Sequence, residues 1–353
     1  MVAARYAARY AAQYACVLSL GLLSAAALAQ TEPASAPPVP AQASESAQAP
    51  EAAPATVIVE GRRPGPGVWK VSRDGHVMWV FAVYSPLPQK MEWDASRVER
   101  LVARSQEVLL PPGASIGFGF FRTITLIPGL LKMKKNPDGA QLRDVLPPDV
   151  YARWQPLKEQ YLGKDDGVES YRPYYAGIEL MAARQKKAGL SEGTEVRKTI
   201  ENIAKQNKVK LTETRIALQV DDPRGMLKEF NKSRLEDVAC FTKTLDSMDA
   251  DIDAMRVRAN AWANGNIAEL RKLDFSERDE ACGDAILNSG FAKNSPTFKD
   301  MRERIRAAWL QAAEKSLAAN ASTFAIVPMK DVFDQNAYLA ALQARGYTVE
   351  SPK

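Results

Sequence analysis

Residues 322–349 read STFAIVPMKDVFDQNAYLAALQARGYTV. The first third, with Phe324, Ile326 and Val327, is a short apolar run of the kind a buried strand requires. A polar loop around Lys330 and Asp331 follows, then an amphipathic helix over 335–345. Gly346 breaks that helix before a short last strand. A strand, a helix and a strand at the end of the chain call for a sheet that receives both strands.

The partners for those strands lie near the other end. Residues 67–72 (GVWKVS) and 76–84 (HVMWVFAVY) flank Arg73-Asp74-Gly75, and Asp-Gly is preferred turn chemistry for a hairpin. Trp69 and Val71 alternate with polar positions, whereas the second run is apolar almost throughout. This reads as an outer strand beside a central one. A helix over 94–105 and a strand over 108–110 come next. Residues 113–131 (GASIGFGFFRTITLIPGLL) suit either a strand pair or a loop that contacts a membrane or partner. The alternation of Thr123 and Thr125 with Ile124 and Leu126 favours the strand pair. Helical patterns then dominate, over 148–162, 171–187, 193–206, 223–246, 249–262, 265–272, 276–288 and 297–319, with one more strand in 209–218. The order predicts an α+β fold: a mixed sheet surrounded by helices, one domain over 57–353, and a helical insertion at about 223–319.

The 353-residue chain is 46% hydrophobic and 25% charged, ordinary for a globular protein. Residues 1–29 read as a secretory signal: Arg5 and Arg9 precede an apolar run from Cys16 to Leu28, and Ala27-Leu28-Ala29 offers a cleavage site. A retained anchor is the alternative. With Arg5 and Arg9 set aside, the net charge falls from +5 to about +3, and basic residues are interleaved with acidic ones. No electrostatic footprint for nucleic acid exists. Residues 30–56, rich in Pro, Ala, Ser and Gln, cannot bury enough apolar surface to order themselves and read as a linker. No later segment is apolar enough to span a bilayer, so a periplasmic or secreted location follows. In that compartment Cys240 and Cys282 are expected to pair.

Several distributed segments resemble the TraB/GumN family of the wider TraB/Tiki superfamily. Val68-Trp69-Lys70-Val71 with its hairpin is similar to the family's opening. Arg172-Pro173-Tyr174 falls where Lys-Pro-Trp is frequent, and Gly193-Thr194-Glu195 sits like Gly-Val-Asp. Leu211-Thr212-Glu213-Thr214 resembles a Leu-Glu-Thr segment, and Leu342 to Val349 is the best match. The resemblance covers residues 67–349 and implies an EreA/ChaN-like fold. It also implies an ancestral metal hydrolase, in which histidine and carboxylate ligands hold a cation that activates water.

The motifs that carry that chemistry are altered here. The Gly-x-x-His motif aligns with Ala82-Val83-Tyr84-Ser85, so Ser85 takes the ligand position. The Leu-Glu motif falls near Leu109-Leu110, and Gly-x-Gly-His-Leu becomes Pro328-Met329-Lys330-Asp331-Val332. His76 is the only histidine in the chain. A single histidine rules out a centre with two or three, and His76 sits roughly 30 Å of extended strand from Ser85, too far to replace the lost ligand. Ser85, Glu195, Glu213 and Asp331 are the remaining candidates for a vestigial site. They support two readings: a non-catalytic envelope protein that binds a periplasmic protein, a peptide or a polysaccharide and needs no cofactor, or a metal-dependent hydrolase or peptidase whose site is rebuilt from carboxylates around a divalent cation. Ser85 lacks the Gly-x-Ser-x-Gly elbow of a serine nucleophile. The acidic run Asp249, Asp251 and Asp253 lacks the glycine after the third acidic residue and the distal glutamate of a calcium loop, and reads as a helix start. Tyr171, Arg172, Tyr174 and Tyr175 suit a ligand groove or a packed helix face, and packing is favoured.

Overall fold

The hairpin forms where the sequence places it. Strands β1 (Val68–Arg73) and β2 (His76–Val83) pair antiparallel with Arg73 opposite His76, leaving Asp74 and Gly75 as a two-residue turn. Both have positive φ, 53° and 84°, the backbone whose twist suits a tight hairpin. The structure, a computed structural model, describes residues 65–117, 120–191, 193–248, 252–272, 276–333 and 338–352. The expected leader (1–29), linker (30–56) and acidic residues Asp249 and Asp251 lie outside the described residues. Among the described residues no helix is long and apolar enough to cross a membrane.

Eight further strands follow: β3 (Leu87–Pro88), β4 (Glu107–Leu109), β5 (Ala114–Ile116), β6 (Leu190–Ser191), β7 (Lys210–Thr212), β8 (Ile216–Leu218), β9 (Ser322–Pro328) and β10 (Thr348–Glu350). The main sheet has the order β10-β1-β2-β9-β4-β7. Neighbours among β2, β9, β4 and β7 are parallel, whereas β1 pairs antiparallel with both β10 and β2. The sheet is therefore mixed, and with the surrounding helices the fold is α+β, as the sequence predicts. Strand β9 is buried from Thr323 to Val327, and a strand covered on both faces carries a continuous apolar run. β1 is second from the edge, because β10 closes against it and Lys70 forms an ion pair with Glu350 at 2.7 Å. Gly346, at φ 86°, turns the chain from helix Tyr338–Ala344 into β10. Two short pairs, β3 with β6 and β5 with β8, stand apart from the main sheet.

Helices pack around two apolar cores. The larger combines sheet residues such as Val80, Phe81 and Phe324 with Val98, Ile200, Trp262 and Trp309 from helices. The second is helical: Trp154, Leu180, Phe241 and Leu245 meet where helices Pro148–Leu162, Pro173–Lys187 and Val238–Met248 converge. Of the helices between 223 and 319, Val238–Met248 joins the second core, and Ile252–Ala263, Ile267–Leu270 and Met301–Ala319 join the first.

The segment 113–131 differs from the expected strand pair. Only Ala114–Ile116 is a strand, and Phe120–Met133 is a helix with Pro128 inside it. The local Thr/Ile alternation is outweighed by a long-range contact. Leu126 is buried, and a Cβ on Gly129 would lie 3.1 Å from Leu227 of helix Pro223–Lys232. That close approach fixes the segment as a helix packed on a helix.

The sulfurs of Cys240 and Cys282 lie at disulfide-bonding distance, 2.05 Å, joining positions 42 residues apart. Closing a loop of that length restricts the unfolded chain. The double variant C240S/C282S is expected to lose up to about 4 kcal/mol of stability, read as a lower denaturant midpoint. Equal midpoints for oxidised protein and the double variant would rule the link out as a stabilising element.

Candidate functional site

Parallel pairing aligns the carboxyl ends of β2, β9, β4 and β7 along one edge of the sheet. Val83 pairs with Pro328, and the Met329 N–H donates to the Val83 carbonyl at 2.9 Å. The chain segments carrying Ser85 and Asp331 are therefore neighbours. Gly193 joins them: its φ is 69°, and a Cβ there would sit 3.1 Å from the Tyr84 carbonyl oxygen. The first turn of helix Thr194–Gln206, with Glu195, is thereby seated beside the end of β2. Glu213 follows β7, three strand spacings from β2, or about 14 Å. It shares the edge with Ser85 but not a ligand sphere, since cation–oxygen distances are about 2.5 Å.

The individual groups have local occupations. Ser85 is exposed. Glu195 is also exposed, and its carboxyl is held below the usual range, first by its own backbone N–H and then by the hydroxyls of Ser191 and Thr194 against partial burial. The Ser191 hydroxyl donates to Glu195 Oε2 at 3.0 Å. An acidic side chain in a helix's first turn is favoured by the helix dipole without any ligand. Asp331, half-buried in the short helix Lys330–Phe333, faces Tyr338. Burial pushes the Tyr338 hydroxyl up, Asp331 adds to the rise and Arg306 opposes it.

The end of β2 is closed from above. Tyr84 is buried, which pushes its hydroxyl up, while Arg258 hydrogen-bonds to it and pulls partly back. Trp262, from the same helix Ile252–Ala263, donates its indole N–H to the Ala82 carbonyl at 2.8 Å. Its ring also contacts Phe81 and Trp93, with centroids 6.0 and 5.9 Å away. These side chains form an aromatic plug against the last residues of β2, just before the exposed Ser85.

The family model for the TraB/PrgY/gumN family matches residues 67–351. The chain belongs to that family. No curated protein and no solved structure gives a significant match.

Within this TraB/PrgY/gumN frame, the donor set at the carboxyl edge lacks imidazole. His76 sits at the amino end of β2, half-buried, with Nδ1 donating to the Asn320 carbonyl at 2.8 Å. Among the described residues no three His, Cys, Asp or Glu side chains gather closely enough to hold a metal ion. The tyrosine segment is also accounted for by packing: Arg172 is buried, and Tyr174 and Tyr175 are half-buried, which raises both hydroxyls, Tyr175 to about 12.

The most elaborate polar cluster of this family member lies elsewhere, at Glu107. The carboxylate is 7% exposed. Oε1 accepts from Lys210 at 2.7 Å and Thr212 at 2.5 Å, and Oε2 accepts from Ser316 at 2.5 Å and Asn320 at 2.9 Å. Burial alone would push this carboxyl up. Hydrogen bonds from Lys210, Ser316, Thr212 and Asn320 outweigh it and hold the group down at about 2. Beside Glu107 opens a cleft of about 400 Å³ between β4, β7 and helix Met301–Ala319. One signal in the sequence pointed there: in the run Glu107-Val108-Leu109, strand alternation puts Glu107 on the same face as the buried Leu109. A charge in phase with core positions needs partners.

Proposed function

We propose that this chain is a secreted, non-catalytic binding protein of the bacterial envelope, built on a TraB/PrgY/gumN frame whose metal-hydrolase site is degenerate. The observation that carries this reading is the plug at the end of β2. Tyr84, Arg258 and Trp262 pack around the last residues of β2, immediately before Ser85, the exposed position where the family resemblance calls for an imidazole. The leader-like residues 1–29, and a cysteine pair at bonding distance, favour a periplasmic or secreted location. The partner would be a periplasmic protein, a peptide or a polysaccharide.

The competing reading is a metal-dependent hydrolase or peptidase using Ser85, Glu195, Glu213 and Asp331 around a hard cation. It draws on the shared edge that brings the segments of Ser85, Glu195 and Asp331 together. The two separate on metal analysis of the purified mature protein, together with a peptidase assay run with and without chelator. The binding-protein reading expects substoichiometric metal and no chelator-sensitive turnover. Stoichiometric metal with turnover abolished in Asp331→Ala would replace it with the hydrolase.

A further inference from the structure

We propose that the cleft beside Glu107 binds a small monocarboxylate carrying a short apolar stem. The cleft lies toward the amino ends of the parallel strands, away from Ser85 and Asp331, and the inference stands independently of what the carboxyl edge does. Its volume, about 400 Å³, falls within the range of small-molecule sites.

The valences facing the cleft decide the ligand's chemistry. An ionised carboxylate offers about four acceptor positions, and Glu107 has all of them occupied by Lys210, Thr212, Ser316 and Asn320. It is a fixed negative charge with nothing left to offer a ligand. The groups still open are donors. Lys210 spends one of its three protons on Glu107. Gln106 uses its amide oxygen to accept from the Ser322 N–H, leaving its NH₂. Lys315 and Gln311 line the same cleft and are exposed. A ligand that satisfies donors must bring acceptors.

Charge limits it further. Two lysines against one glutamate leave a single net positive charge among the lining residues. The cleft also flanks the C-terminal half of helix Met301–Ala319, the end where the helix dipole is negative. The single net charge suits a singly charged carboxylate, and the dipole, which opposes any anion, penalises a phosphate dianion more. The rest of the wall is apolar: Ala308 and Ala312 stand one helical turn apart, with Leu109 on the strand opposite. Their small side chains create the room, and they offer a surface to an aliphatic stem. Such a stem could belong to a short-chain fatty acid or to the C-terminal residue of a peptide.

The test titrates the mature protein with hexanoate, hexanamide, N-acetyl-leucine and N-acetyl-leucinamide, following amide shifts by NMR. At least one acid is expected to bind saturably, at least tenfold more tightly than its amide, and the better acid identifies the source of the stem. Lys315→Glu, an exposed substitution, is expected to weaken that acid at least fivefold, and Ala312→Trp to abolish its binding. The Lys315→Glu protein should keep the wild-type circular dichroism spectrum. Failure of both acids to bind, equal binding of acid and amide, or indifference to Lys315→Glu would overturn the proposal. None of these outcomes bears on metal content or chelator sensitivity, so the degenerate-site reading is tested separately.

Discussion

Arg172→Ala is expected to destabilise the fold by about 4 kcal/mol or more. Arg172 is 1% exposed. Its Nε donates to the Lys135 carbonyl at 3.0 Å, Nη1 to Ser233 at 2.8 Å, and Nη2 to Phe230 at 2.9 Å and Asn231 at 3.4 Å. Phe230, Asn231 and Ser233 lie at the end of helix Pro223–Lys232, whose last carbonyls have no partner within the helix. A cation there also answers the negative end of the dipole. Asp237 completes the arrangement by accepting the Tyr174 N–H at 2.8 Å, at the start of helix Pro173–Lys187. Burial raises the Asp237 carboxyl, while the Tyr174 amide, its own amide and Arg172 counter the rise. Removing the guanidinium strands buried carbonyls and leaves Asp237 without its cation. Arg172→Lys should restore less than half of the loss, because one ammonium cannot bridge the two segments, Lys135 and 230–233, as a planar fork does. Urea denaturation measures both variants, and a loss under about 1 kcal/mol in Arg172→Ala would refute the clasp.

Glu107→Gln is expected to cost about 3 kcal/mol at pH 7, and the cost should fade in acid. Burial opposes ionisation of Glu107, yet the hydrogen bonds led by Lys210 carry its folded value down to about 2, against an ordinary 4.5. A carboxyl lowered by folding contributes stability that is complete above its unfolded value and disappears as pH falls through the folded one. The contribution is therefore complete above about pH 5 and should drain away between about pH 4.5 and 2. Lys210 is 69% exposed, so its share is screened, and most of the effect should reside with Ser316, Thr212 and Asn320. Glutamine places NH₂ donors against these donors and cannot replace the ion. Unfolding curves of wild type and Glu107→Gln at pH 7, 4 and 2.5 should converge in acid. A gap that stays constant across that range would show that Glu107 is not ionised against those partners.

How much of this was legible in advance depended on how local each cause is. The Asp74-Gly75 hairpin needs only its two turn residues. The closing strand-helix-strand needs an apolar run, an amphipathic stretch and Gly346. The pairing of Cys240 with Cys282 was expected from the cysteine count and the leader-like residues 1–29, and the two sulfurs lie at bonding distance. The helix Phe120–Met133 was not legible, because an apolar run with mixed alternation fits two periods until Leu227 lies against Gly129. For Arg172 the sequence favoured a packed helix face over a groove but could not name its partners, which lie 37 and about 60 residues away along the chain. Glu107 meets Ser316 and Asn320 across more than 200 residues.

The same division holds for function. The sequence by itself determined the family, through segments distributed from Val68 to Val349, and it determined that no centre with several histidines can exist, because a missing side chain needs no structure to be missing. Only the tertiary structure decided where the surviving acidic groups stand. Parallel pairing brings the segments of Ser85 and Asp331 to one edge, Gly193 seats Glu195 beside them, and Glu213 is left three strands away. The fold also presses Tyr84 and Trp262 over the end of β2. It surrounds Glu107, unremarkable in the linear chain, with four donors, because strand alternation and a returning helix converge on it.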